Sequence, residues 1–232
     1  MKDTHSISVA MATYNGEKYI KEQLDSILVQ IKEFDEIIIS DDGSTDKTVE
    51  IIKSYQDKRI KLFKGPKMGV KKNFENAIKH CQNEYIFLAD QDDIWVNNKV
   101  EIVLNYFIKE NVDLIIHDCD VVNEKLEVIN ESFYKLRHSK KGKIKNIMKN
   151  SYIGCCMAFK SSLKDKILPI PNNIEMHDQW IGLKIEKYGK VKFINDKLIH
   201  YRRHEKNVSN MKHYPLFKML KNRIIFIKEF MK

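Results

Sequence analysis

The chain alternates two hydrophobic periods. Short apolar, β-branched runs cover 7–13, 36–40, 59–63, 85–89 and 114–117. Between them, 16–30, 45–55, 70–81 and 97–110 carry apolar residues every three or four positions. The first pattern predicts buried strands and the second amphipathic helices. Strand and helix in succession make βαβ units, so the expected fold is α/β, with a mostly parallel central sheet and helices on both faces. Right-handed crossovers then bring the carboxyl ends of the strands to one edge, where ligands bind.

The polar residues that follow each strand therefore carry the candidate chemistry. Thr13, Tyr14, Asn15 and Gly16 follow the first strand, and Asp41, Asp42, Gly43, Ser44, Thr45 and Asp46 the second. Asp90, Gln91, Asp92 and Asp93 follow the run from Tyr85 to Ala89. Carboxylates gathered at a sheet rim are costly unless a cation or a hydrogen-bonded ligand compensates them. Mg²⁺ or Mn²⁺ suits them, because such an ion takes one or two carboxylates and fills its shell with substrate phosphates. Read alone, the Asp90 cluster serves equally as an acidic turn that caps the next helix. Asp41 is placed to accept from a pyrimidine N–H or a ribose hydroxyl, while its segment is also an ordinary turn followed by a cap.

At 232 residues, with 43% hydrophobic and 31% charged, the chain holds one sizeable core, and disorder is not indicated. No run approaches the roughly 18 apolar residues of a membrane span, and residues 1–5 lack the apolar stretch of a secretory leader. A cytoplasmic location is expected. Cys81, Cys119, Cys155 and Cys156 show no CxxC spacing and are expected to be reduced and buried. The net charge of +9 suits nucleic acid, an anionic membrane or phosphorylated small molecules. Lysine is spread along the whole chain without any nucleic-acid-binding signature, so no nucleic-acid partner is expected.

Ile7 to Asn15 (ISVAMATYN), Asp41 to Thr48 (DDGSTDKT) and Leu88 to Trp95 (LADQDDIW) resemble the successive nucleotide-sugar motifs of the family 2 inverting glycosyltransferases, which have a GT-A, Rossmann-like fold. Met176 to Trp180 (MHDQW) and Tyr201 to Ser209 (YRRHEKNVS) are similar to motifs of the rhamnosyltransferase-like branch. The resemblance implies a GT-A domain over 1–210, with a nucleotide-binding half at 1–118 and an acceptor-binding half at 119–210. It implies transfer of a single sugar, by preference rhamnose from dTDP-rhamnose, to a glycan or lipid-linked glycan of the cell surface. The QxxRW motif and membrane helices of processive relatives are absent from this sequence.

Inverting transfer needs a base for the acceptor hydroxyl, a positioned donor and an electrophile for the leaving diphosphate. By resemblance Asp178 is the base, and Asp92 with His204 would hold Mn²⁺ or Mg²⁺, with Asp93 in support. Thr13, Tyr14, Asn15, Asp41, Lys71, Asn73, Asp90, Arg202 and Arg203 are expected at the donor, the two arginines as phosphate clamps. Gly154, Cys155 and Trp180 are expected to border the acceptor. Plainer roles stand beside these: Asp178 as a first-turn helical Asp favoured by the macrodipole, and Arg202, Arg203 and His204 as surface loop residues. An inverting mechanism forms no covalent intermediate, so no nucleophilic cysteine is expected.

Two rival readings are a nucleotidyltransferase and a non-catalytic nucleotide-sugar binding module. The first would want a Gly-rich phosphate loop, where Ala12 to Glu17 has one glycine; Asp178 argues against the second. Residues 123–150 read as an excursion carrying a mobile acceptor loop, or as a plain insertion. At the end of the chain, Phe217, Leu220, Ile224, Ile227 and Met231 form a stripe among Lys218, Lys221, Arg223, Lys228 and Lys232. A basic amphipathic helix is expected over 211–232, resting on anionic lipid at the inner face of the cell membrane or packing on its own domain or a partner.

Overall fold

The computed structural model describes residues 5–139, 142–205, 207 and 216–232. The end of the YRRHEKNVS motif, the expected boundary at 210/211 and the side chain of Lys218 lie outside the described residues. Among the described residues, nine strands form one sheet: β1 (Ile7–Thr13), β2 (Glu36–Asp41), β3 (Ile60–Lys64), β4 (Tyr85–Asp90), β5 (Ile94–Trp95), β6 (Leu114–Val122), β7 (Val128–Asn130), β8 (Met157–Lys160) and β9 (Val191–Arg202). The helices are α1 (Ile20–Leu28), α2 (Thr48–Ser54), α3 (Val70–His80), α4 (Lys99–Glu110), α5 (Phe133–Arg137), α6 (Lys143–Met148), α7 (Lys164–Ile167), α8 (His177–Tyr188) and α9 (Leu216–Met231).

The strand order is β3-β2-β1-β4-β8-β6-β9-β5, with β7 on the flank of β6. β1 and β2 are buried along their whole length, as strands covered on both faces must be. β3, β2, β1 and β4 pair in parallel; β8 runs antiparallel to both β4 and β6, which returns β6 and its parallel neighbour β9 to the direction of β4. The parallel arrangement expected from the βαβ pattern is therefore present, with the short β8 as a reversed joint. One apolar cluster runs through both halves, from Ile38 and Leu88 to Ile116, Phe159 and Leu183.

Register sets the functional edge. Thr13 lies beside Asp41 and Ala12 beside Asp90, so the loops after β1, β2 and β4 emerge together. β9 ends at the same edge, with Arg202 opposite Val122.

The excursion at 123–150 is tied to the domain along its first half. β7 pairs with β6, and Asp118 accepts the backbone N–H of Tyr134 at 2.9 Å, while the Tyr134 hydroxyl donates to the Ile116 carbonyl at 2.8 Å. All four cysteines are free and buried. Among the described residues, no helix is long and apolar enough to cross a membrane.

Candidate active site

The first two loops are stitched to one another. Asn15 takes a left-handed backbone (φ 47°), and its Oδ1 accepts the N–H of Thr45 at 2.8 Å. Ser44 Oγ accepts the N–H of Asn15 at 2.9 Å, and Thr48 Oγ1 accepts that of Gly16 at 2.7 Å. Asp41 takes hydrogen bonds from Thr13 Oγ1, from the N–H groups of Gly43 and Ser44, and from Ser44 Oγ, at 2.6 to 3.1 Å. Four donors fill a carboxylate's acceptor sites. Asp41 thus shapes the turn, and its expected direct contact with the donor gains no support from this geometry. Asn73 donates to the Thr13 carbonyl at 3.1 Å, and its buried Oδ1 has no partner among the described residues.

Gln91, a residue to which the sequence assigned no role, joins the acidic loop to the first loop. Its Oε1 accepts the N–H of Tyr14 at 2.9 Å, and its Nε2 donates to the Tyr14 carbonyl at 3.0 Å. The Tyr14 side chain stays exposed. Gly16 makes room for this clasp, since a Cβ there would stand 2.3 Å from Gln91 Oε1.

Asp92 and His204 meet. His204 Nε2 donates to Asp92 Oδ2 at 2.8 Å, and Asn207 Nδ2 donates to the same oxygen at 3.1 Å. Asn207 Oδ1 accepts the His204 N–H at 2.6 Å, which makes it the clamp of the turn. The imidazole stacks on Tyr19 with centroids 4.7 Å apart, and the Arg202 guanidinium also lies 4.7 Å from that ring. Arg202 is 3% exposed and ion-paired with Glu22, and its N–H donates to Asp93 Oδ1 at 3.0 Å. Its expected role as a phosphate clamp is overturned by burial: Arg202 holds Tyr19 and Asp93 in place. Arg203 instead lines an open cavity of about 550 Å³ with Asn123, Glu124, Lys125 and His204, beside Asp92.

Beneath this loop lie two carboxyls whose burial favours the protonated form. Burial, and then the charges of Asp92 and Asp178, push Asp90 up to about 7. Burial raises Asp93 well above the usual range, and its Oδ2 has no partner among the described residues. Lys99, also buried, donates to the Cys155 carbonyl at 3.1 Å and lies over Trp95 at 4.1 Å; burial lowers it to about 8.

The donor set fits a hard divalent ion. Neighbouring ligands on an octahedral ion with bonds of about 2.1 Å stand roughly 3 Å apart. Asp92 Oδ2 and His204 Nε2 offer a carboxylate and an imidazole, held at 2.8 Å by a hydrogen bond whose proton an ion would displace. Asp90, Asp93 and Cys155 also bring ligand atoms within 4.8 Å of one another. Burial keeps the Cys155 thiol protonated, which makes that trio the poorer host for a hard ion.

Asp178, in the first turn of α8, is buried and pushed up to about 6 by burial. Its Oδ1 accepts from Gln179 N and from Asn150 Nδ2 at 3.1 Å, so both bonds fall on one oxygen. The neighbouring His177 stacks on Phe74 at 4.4 Å; burial holds it near 4, and its Nε2 has no partner among the described residues. Gly154 lies against this pair, where a Cβ would stand 3.0 Å from His177 Nε2.

Three other expectations are corrected. Lys71 donates to the carbonyls of Asn172 (2.8 Å) and Ile174, so it anchors the loop leading to Asp178 and not the donor. Cys155 is buried with Asp90 and Asp93 and is not on the surface that the expected acceptor contact needs. Trp180 donates its indole N–H to the Ile167 carbonyl at 2.7 Å and packs against Phe226 and Phe230 of α9. It is a docking surface for the last helix.

The chain is similar to the Escherichia coli protein UDP-Glc:alpha-D-GlcNAc-diphosphoundecaprenol beta-1,3-glucosyltransferase WfgD, with 28% identity over 94% of this chain and 84% of that protein. An uncharacterized glycosyltransferase of Haemophilus influenzae is 34% identical over 54% of this chain and 53% of its own length. In fold, the chain is similar to S. aureus TarS 1-349 in complex with UDP-GlcNAc: TM-score 0.76, 19% identity, 96% of this chain and 66% of that one. It is also similar to the mannosyltransferase PcManGT from Pyrobaculum calidifontis in complex with GDP-Man and Mn²⁺: TM-score 0.64, 18% identity, 87% of this chain and 58% of that one. The sequence profile of glycosyl transferase family 2 matches residues 8–168, and the chain belongs to that family.

Proposed function

We propose that this protein is an inverting glycosyltransferase that moves one hexose from a nucleoside diphosphate sugar to a lipid-linked glycan. The observation that carries this reading is the pairing of Asp92 with His204 at the sheet edge that β4 and β9 share. Asp178 accepts the proton of the acceptor hydroxyl as that oxygen bonds to the anomeric carbon. The bond to the diphosphate breaks on the opposite face, which inverts the centre. Asp92 and His204 would hold Mn²⁺ or Mg²⁺, which when bound stabilises charge on the leaving diphosphate. Arg203, on the cavity beside them, adds a second positive group there.

A UDP-hexose is the favoured donor class, since WfgD is named for UDP-Glc and TarS was solved with UDP-GlcNAc. WfgD's diphosphoundecaprenol acceptor supports a lipid-linked glycan here. The expected rhamnose draws no support from the relatives named above. The test is slow hydrolysis and thermal stabilisation with UDP-glucose, UDP-GlcNAc, GDP-mannose and dTDP-rhamnose, each with Mn²⁺. A ligand at 100 times its dissociation constant stabilises by about 2.7 kcal/mol. Stabilisation and hydrolysis with a UDP-hexose support the reading; a flat response to all four contradicts it.

A further inference from the structure

α9 has two apolar faces, and its own domain covers one. Phe226 is buried and, with Phe230, packs on Trp180; Asn222 donates to Glu175, Glu229 accepts from Asn173, and Arg223 reaches the Met148 carbonyl of α6. The five-residue stripe read from the sequence is the other face. Phe217 is 80% exposed, Met231 77%, and Leu220, Ile224 and Ile227 stand out beside them. Isolated exposed apolar residues are ordinary, but a contiguous row along four turns is not.

The charge around this row is one-signed. Lys221 and Lys228 lie one helical step from the stripe on one side and are exposed; Arg223 lies on the other and leads to α6, where Lys145, Lys149 and the exposed Met148 continue the patch. The single acid of α9, Glu229, is held by Asn173 and Lys232. Helix ends and loops that touch this platform, at Asn173 and Glu175, lead directly into the base at Asp178.

We infer that the outer face of α9, with the end of α6, lies on an anionic lipid surface and turns the acceptor side of the site toward it. An apolar row that enters the acyl boundary, bordered by lysines at the headgroup level, is the pattern of an interfacial helix. The charge flanking the row is complementary to anionic headgroups, which is what selects lipid over an apolar protein partner. The inference rests on the lipid-linked acceptor proposed above, and it deepens that reading by naming the surface that meets the lipid.

The full chain is spun with vesicles of phosphatidylcholine alone, or of equal parts phosphatidylcholine and phosphatidylglycerol, at low and high salt. Binding to the anionic vesicles that fades with salt is expected. Lys221→Gln/Lys228→Gln lowers the partition coefficient roughly thirtyfold, at about 1 kcal/mol per basic residue. Ile224→Ser/Ile227→Ser abolishes binding while the melting temperature holds, because both positions are exposed. Equal binding to neutral vesicles, no binding at all, or a stripe that forms dimers dissociated by Ile224→Ser overturns the inference. UDP-hexose hydrolysis by the same variants is read separately. Its absence in wild type strikes the proposed reaction, whereas its persistence without vesicle binding strikes only the lipid surface.

Discussion

His204 Nε2 stands 2.8 Å from Asp92 Oδ2, a contact across 112 residues of chain. β4 and β9 bring the two together because both end at the same edge of one sheet. Around them Asn207 fixes the turn and Tyr19 stacks on the imidazole, so the pair is oriented before any ligand arrives. Such preorganisation is what a metal or diphosphate site requires.

Replacing Asp178 separates catalysis from stability. The folded carboxyl titrates near 6, above its ordinary 3.8, so its stabilising contribution is full below pH 4 and is lost as pH rises through 6. Asp178→Asn keeps an acceptor for Gln179 and Asn150 and removes the buried charge. At pH 8 the variant is expected to be more stable by about 1–3 kcal/mol, and the gain to vanish at pH 4. Transfer falls roughly 10²- to 10⁴-fold while donor affinity persists. Melting curves at the two pH values, with kcat and donor titrations, check both.

Gly16 and Gln91 are coupled. Gly16→Ala drives a Cβ into the Gln91 amide, so it is expected to loosen the Tyr14 clasp and weaken donor binding. In a Gln91→Ala background the obstruction is gone, and the same change costs little. A double-mutant cycle on thermal stability should give a coupling energy of about 0.5–3 kcal/mol. Additive effects would show that the clasp does not exist in solution.

The two neighbouring arginines differ in what they hold. Arg202→Met removes a buried guanidinium that pairs with the half-exposed Glu22 and covers Tyr19, and is expected to lower stability by about 1–2 kcal/mol. Arg203→Met, on the open cavity, is expected to leave the melting temperature near wild type and to weaken binding of UDP. Denaturant unfolding and UDP titration of both variants distinguish the two.

The parallel strands and the edge they share were legible because two-faced burial leaves uninterrupted apolar runs, with polar residues at their ends. The meeting of Asp92 with His204 was legible through motifs alone, since no local period links residues so far apart. Lys71 and Trp180 were misread for a common reason: each contacts a loop or helix ordered by distant chain, at 172–174 and at Phe226 and Phe230. In α9 the sequence period revealed an apolar stripe but not which face packs, and a pair of aromatics four residues apart does the docking. Gln91 and Asn207 act through backbone clasps, which leave no hydrophobic or charge pattern to read.

The most direct test is calorimetric titration of UDP into the full chain, with Mn²⁺ and with EDTA, for wild type, Asp92→Asn and His204→Ala. UDP is expected to bind the wild type only with Mn²⁺, and both variants to lose at least 10- to 100-fold in affinity, at least the scale seen when a metal site's supporting contacts are removed. Equal UDP affinity in EDTA, unchanged by either substitution, would contradict the assignment of Asp92 and His204 as the metal-borne diphosphate site.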